Sequence, residues 1–145
     1  MASEAGFLSF IRNVMGITTL QLPDNSPAIT DAYTVSIETV NLYIGSISTT
    51  FYDLAVYNLG GDYLLNWAPD TAPSTFFADY RKTNNLNGFV AGVVASSADE
   101  GTSNSLLVPD FFKTLSLSDL QELKTPYGRQ YLAIAQKFGP LWGLS

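Results

Sequence analysis

The sequence predicts a mainly α fold: a small bundle of about five helices carrying a protruding β-hairpin or extended arm. Three observations predict it. Apolar residues recur at helical spacing through 26–67, the uncharged run 89–95 breaks that period, and capped or proline-opened segments return to it near the end.

The first helix is expected over 4–15, with Phe7, Leu8, Ile11, Val14 and Met15 on one face and Gly16 as its stop. Such a stripe reads as core packing, or else as a detachable anchor. A linker over 17–25 ends in the turn chemistry of Pro23-Asp24-Asn25-Ser26. Ser26 then caps a helix over 26–44 that has proline at its first position. Ile29, Tyr33, Ile37, Val40 and Ile44 form its stripe, and Ser46-Ile47-Ser48-Thr49 makes a turn and the next cap. The following helix, over 50–67, carries Tyr52, Val56, Leu59, Tyr63 and Trp67, widened by Phe51, Leu54, Ala55, Leu64 and Leu65. Gly60-Gly61 in its middle costs about 1 kcal/mol per glycine against alanine, which predicts a kink or a close helix contact. The residue before Pro69 resists the α conformation and ends the helix. A short connection makes these two helices antiparallel neighbours, on which the remaining elements pack.

A helix over 74–83, capped by Ser74 or Thr75, turns Phe76, Phe77 and Tyr80 inward. The β arm spans about 88–109. Strands are expected at 89–95 and 105–109, with a polar loop between them and Asp99-Glu100-Gly101 at the tip. A lone two-stranded hairpin is marginal in water, so its edge must lie on the helices or pair with another chain. Ser116 with Asp119 forms a capping-box variant opening 117–123. Thr125-Pro126 opens 126–138, whose stripe is Tyr127, Tyr131, Ile134 and Phe138. Residues 139–145 keep Leu141, Trp142 and Leu144 past the last helix, as a tail folded back or inserted into a partner. No internal repeat or domain boundary is evident, so 1–145 reads as one domain.

The chain has no cysteine and no histidine, which excludes thiol chemistry, disulfides and every Ser-His or Cys-His arrangement. Glu4 and Arg12 argue against a secretion signal, and no stretch approaches the roughly 20 apolar residues of a membrane helix, so a soluble protein without a membrane partner is expected. Net charge is −6. From 13 to 80 there are seven acids and no base, whereas from 81 onward six bases meet five acids. These are ordinary solvated faces, or an acidic flank that meets a less acidic one on an identical neighbour. A contact of the second kind closes into a ring when the rotation permits.

Asp31 and Glu38 lie two turns apart on one helix. They read as surface acids, since a paired-carboxylate site needs one of them buried. Asp99-Glu100 lacks the alternating oxygens of a calcium loop. Gly60-Gly61 is followed by no phosphate-cradling lysine, and Arg81-Lys82 is too small a basic cluster for nucleic acid. No catalytic residue, cofactor or metal site is expected, and the chain does not read as an enzyme.

The glycine-led, serine-rich segment 88–105 leads through the short 116–123 helix to Thr125-Pro126-Tyr127-Gly128-Arg129-Gln130-Tyr131-Leu132. This order, with the preceding apolar helix, resembles the head-to-tail connector family of tailed bacteriophages, also called adaptor or head-completion proteins. The 125–132 run is its motif-like part. The resemblance implies a virion neck protein, assembled in the host cytoplasm as a ring, typically of twelve copies. That ring sits below the portal, extends the channel through which double-stranded DNA passes without specific recognition, and docks a tail-side neck or tail-terminator protein. Phe89, Val90, Val93, Val94, Leu106, Leu107 and Val108 would form the inter-subunit arm. Phe138, Leu141, Trp142 and Leu144 would dock the portal or neck. Asp31 and Glu38 are candidates for channel-facing acids, since a basic lumen would grip phosphates. The alternative reading is a monomeric helical module that binds a protein or peptide through its tyrosines and Trp142.

Overall fold

A computed structural model of the chain describes residues 1–87, 96–99, 102–105, 122 and 124–138. Six helices lie among them: α1 (Glu4–Asn13), α2 (Pro27–Thr39), α3 (Leu42–Ile47), α4 (Thr49–Trp67), α5 (Phe76–Thr83) and α6 (Pro126–Lys137). The fold is mainly helical, as expected. α4 is its hub, packing most extensively against α6 and α2 and touching α1, α3 and α5 as well. A helix surrounded in this way must be apolar on every side rather than along one stripe, and eleven of its nineteen residues are buried.

The helix expected over 26–44 is two helices. Val40 is extended (ψ 129°), and the Asn41 side chain accepts from the Tyr43 amide at 2.9 Å, capping a new start. The apolar stripe runs unbroken across this corner, with Ile29, Val40 and Ile44 all buried, which is why spacing alone reads through it. α2 and α4 are antiparallel. Pro27 and Ala28 face Leu64 and Trp67, and the Cβ that Gly60 lacks would sit 3.2 Å from the Ser36 hydroxyl.

α1 belongs to the core, with Phe7 and Ile11 fully buried. The glycine pair on α4 serves close contact. A Cβ on Gly60 would meet Phe7 at 2.6 Å, and one on Gly61 would meet the Met15 sulfur at 3.0 Å. The glycine stop after α1 is also present, since Gly16 has φ +71°. Residues 17–25 do more than link, because Ile17 and Leu22 are core residues. Arg12 ties this stretch down by donating to the Ile17 and Leu22 carbonyls and pairing with Asp24 at 2.6 Å.

At the other end of α4, Arg81 on α5 donates to the Leu65 carbonyl at 2.9 Å and to the Ala68 carbonyl, satisfying acceptors that the helix end leaves open. The N-terminus of α5 is capped mainly by Asp70, whose carboxylate accepts from Phe77 at 2.7 Å and Ala78 at 3.0 Å. Of the two caps expected there, Ser74 accepts from Phe76 at 3.3 Å and Thr75 makes no side-chain cap.

Two clusters fill the core. One joins α1, the 17–22 stretch, the start of α2, the end of α4 and α5. The other joins Val40, Ile44 and the first half of α4 to Tyr131, Leu132, Ile134 and Ala135 of α6.

Strands β1 (Ser96–Asp99) and β2 (Thr102–Ser105) pair antiparallel, Ser96 opposite Ser105 and Asp99 opposite Thr102. Apart from Ser105, expected as the first residue of the return strand, this ladder occupies the stretch read as a polar loop. The strand expected at 89–95, the strand expected at 105–109 apart from Ser105, and the 117–123 helix apart from Glu122 lie outside the described residues.

Candidate functional site

Two features stand out from the packing: a buried polar joint between α4 and α6, and an open apolar groove between α2 and the end of α4.

The joint is built from the run Thr125-Pro126-Tyr127-Gly128. Thr125 is fully buried in extended backbone, its hydroxyl accepts from the Gly128 amide at 2.9 Å, and Pro126 takes the first helical position. The same hydroxyl donates to Asp62 Oδ1 in the middle of α4. Asn66, one turn on, donates to the same carboxylate oxygen at 3.2 Å and to the Asp62 carbonyl at 2.8 Å. Gly128 is required because a Cβ there would strike the Glu122 carbonyl and lie 2.7 Å from Asp62 Oδ1. Tyr127 meets Phe10 edge-on at 6.0 Å, and Tyr131 is buried one turn further.

Asp62 is only 4% exposed. Burial pushes its carboxyl up from 3.8 to about 7, although the hydrogen bonds from Thr125 and Asn66 pull it back down. A buried acid of this kind qualifies as a candidate catalytic group. Here the Asp62 carboxylate accepts from Thr125, which caps α6, and from Asn66 one turn further along α4, and no cavity among the described pockets reaches it. The arrangement fastens two helices.

The groove is a cavity of about 380 Å³, within the roughly 300–1,000 Å³ that ligand clefts span. Pro27, Asp31 and Val35 of α2 form one wall, and Tyr63, Leu64 and Trp67 of α4 form the other. Trp67 is 70% exposed and Val35 41%, so large apolar side chains stand at its mouth beside one carboxylate. Leu42, Tyr43 and Ile47 leave a further apolar surface exposed on α3.

Of the residues singled out in the sequence, Asp31 and Glu38 are both exposed on α2. Phe138 is half-buried, packed edge-on against Phe51 at 5.9 Å. Phe89, Val90, Val93, Val94, Leu106, Leu107, Val108, Leu141, Trp142 and Leu144 lie outside the described residues. The sequence reading missed both features of the site. Trp67 falls on the inward stripe of α4 by spacing, yet stands in solvent. The Asp62–Thr125 contact joins positions 63 residues apart, and only the capping half of it has a local signal.

No family model matches the chain, and neither a curated protein nor a solved structure does. Among the described residues, no helix is long and apolar enough to cross a membrane, and no cluster of three or more metal-ligating side chains occurs.

Proposed function

We propose that this chain is a structural connector of a tailed-phage neck, forming a ring below the portal that extends the DNA channel and joins head to tail. The observation that carries the reading is the contrast between interior and surface. The buried polar groups Asp62, Asn66 and Thr125 are used to fasten helices, whereas Val35, Leu42, Tyr43, Ile47 and Trp67 stand exposed on a bundle with a filled core. Large exposed apolar side chains of this kind suit contacts with copies and neighbours. The resemblance of the 125–132 run and of the α4 hub to head-to-tail connectors supplies the context. In this reading the β1–β2 ladder belongs to an arm over 88–109 that pairs with an adjacent subunit, and the exposed acids Asp31 and Glu38 face the DNA channel. The partners are further copies, the portal and a tail-side neck protein.

A monomeric module that binds a protein or peptide is the second reading, and the groove beside Trp67 favours it. Mass measurement of the purified chain, alone and mixed with portal protein, separates the two. A defined multi-copy complex with the portal supports the connector. A chain that stays single in the mixture overturns it.

A further inference from the structure

We propose that the groove between α2 and the end of α4 receives the Leu141-Trp142 segment of a neighbouring copy of the same chain. This rests on the ring-building reading above and assigns it a contact.

Chemistry and reach both favour this occupant. The groove wall is apolar, with Asp31 as its one charge among the lining residues, and Trp67 at its mouth is mostly exposed. Residues 139–145 (Gly-Pro-Leu-Trp-Gly-Leu-Ser) carry no charged side chain and three large apolar ones, the composition such a wall would bury.

Their own groove is out of reach. α6 runs antiparallel to α4, from Thr125 at Asp62 to Phe138 and Lys137 at Phe51. From Phe51 to the groove residues Tyr63 and Trp67 is twelve and sixteen helical residues, about 18 and 24 Å along the axis. From Phe138 to Trp142 is four residues, at most about 14 Å when fully extended. α6 itself points away from the groove at its C-terminal end. A Trp142 that enters such a groove therefore belongs to another copy.

Because Phe138, from which the donor segment springs, and the acceptor groove lie at opposite ends of α4, the contact is heterologous. Each copy gives at one end and receives at the other, and the series closes where the rotation permits. Charge is compatible with this direction: an exposed Lys137 roots the donor segment, and the acceptor helix α2 carries the exposed acids Asp31 and Glu38.

The test places a photoreactive benzoylphenylalanine at position 142 of the full chain, in a mixture of heavy- and light-isotope copies with portal protein present. Irradiation should give a ladder of covalent multimers whose cross-links join 142 of one copy to 27–35 or 63–69 of another. Cross-links within one chain, to the portal, or to another face of the neighbour overturn the groove assignment, and the connector reading survives those outcomes where multi-copy complexes still form. A chain that forms no complex of any kind removes both. As a second variant, Val35→Glu puts an unpaired charge in the wall and should cut the cross-link yield by about tenfold or more with the helical circular dichroism unchanged. An undiminished yield refutes the assignment.

Discussion

Asp62 should make this protein less stable as the medium becomes more alkaline, and a single amide should remove that dependence. Its carboxyl is raised from 3.8 to about 7, chiefly by burial under α6. Each tenfold change in proton affinity corresponds to about 1.36 kcal/mol, so ionising this group inside the bundle costs about 4 kcal/mol. The sign follows from linkage. Between the two values the folded chain holds a proton that the unfolded chain has released, and stability falls as pH rises. The contribution is complete below about pH 4, wanes through the interval and is gone above about pH 7. Asp62→Asn keeps the shape and an acceptor for the Thr125 hydroxyl but cannot ionise. Urea unfolding of both proteins at pH 5 and pH 8 cancels the other carboxylates, which titrate alike in each. The variant should gain on the wild type by about 2–4 kcal/mol between the two pH values, even if a misplaced amide hydrogen costs it about 1 kcal/mol at both. Parallel pH dependences, or a variant that loses ground at pH 8, would refute the assignment of a buried, protonated Asp62 at the joint.

Two glycines should respond to alanine with opposite signs. Gly60→Ala drives a methyl into the fully buried Phe7 ring and should cost about 1–3 kcal/mol, whereas Gly45→Ala meets Tyr52 at an ordinary 3.5 Å and should gain up to about 1 kcal/mol from helix propensity; denaturant midpoints check both. Arg81→Met keeps the stem but strips the donors from the Leu65 and Ala68 carbonyls, and thermal unfolding should show a loss of about 1–3 kcal/mol. On the proposed connector reading, reversing the exposed acids with Asp31→Lys and Glu38→Lys should slow DNA passage while rings still form; unchanged ejection kinetics would count against a channel-facing α2.

Much of the helical order is legible in the sequence because its signals are local. Ser26-Pro27, Ser48 and Thr125-Pro126 each mark a start that the backbone adopts, and Gly16 marks a stop. The misreadings occur where a local signal competes with a longer one. Asn41 is a cap type, but the stripe through Val40 and Ile44 masks it, because both flanks of the corner face the same core. Trp67 fits the spacing of α4, yet spacing assigns no face on a helix packed on most sides, and the end of such a helix can leave a residue in solvent. Asp70 caps α5 from seven residues upstream, beyond the window in which caps are sought. Asp62 sits between apolar neighbours, and nothing within a turn of it announces a partner in α6.

The 125–132 run shows how a motif and a packing requirement can share the same letters. Thr125 caps α6 and holds Asp62, Pro126 fits the first turn, Tyr127 meets Phe10, Gly128 clears the Glu122 carbonyl, and Tyr131 and Leu132 enter the second core cluster. Each of these choices follows from docking α6 onto the hub helix, whatever the protein does. Pro126, Arg129 and Gln130 are the exposed residues of this run, and with Pro126 set by the helix start, Arg129 and Gln130 are left unspecified by the core. Function therefore has to be sought on surfaces that packing does not dictate: the groove beside Trp67, the exposed face of α3 and the acids of α2. A bundle whose helices are clamped at fixed angles by a buried joint can hold those three surfaces in a constant relation. Copies that must repeat one contact around a ring need that constancy, because a small error in angle at each step accumulates and prevents closure. On the proposed ring-building reading, loosening the joint should therefore impair assembly before it impairs folding.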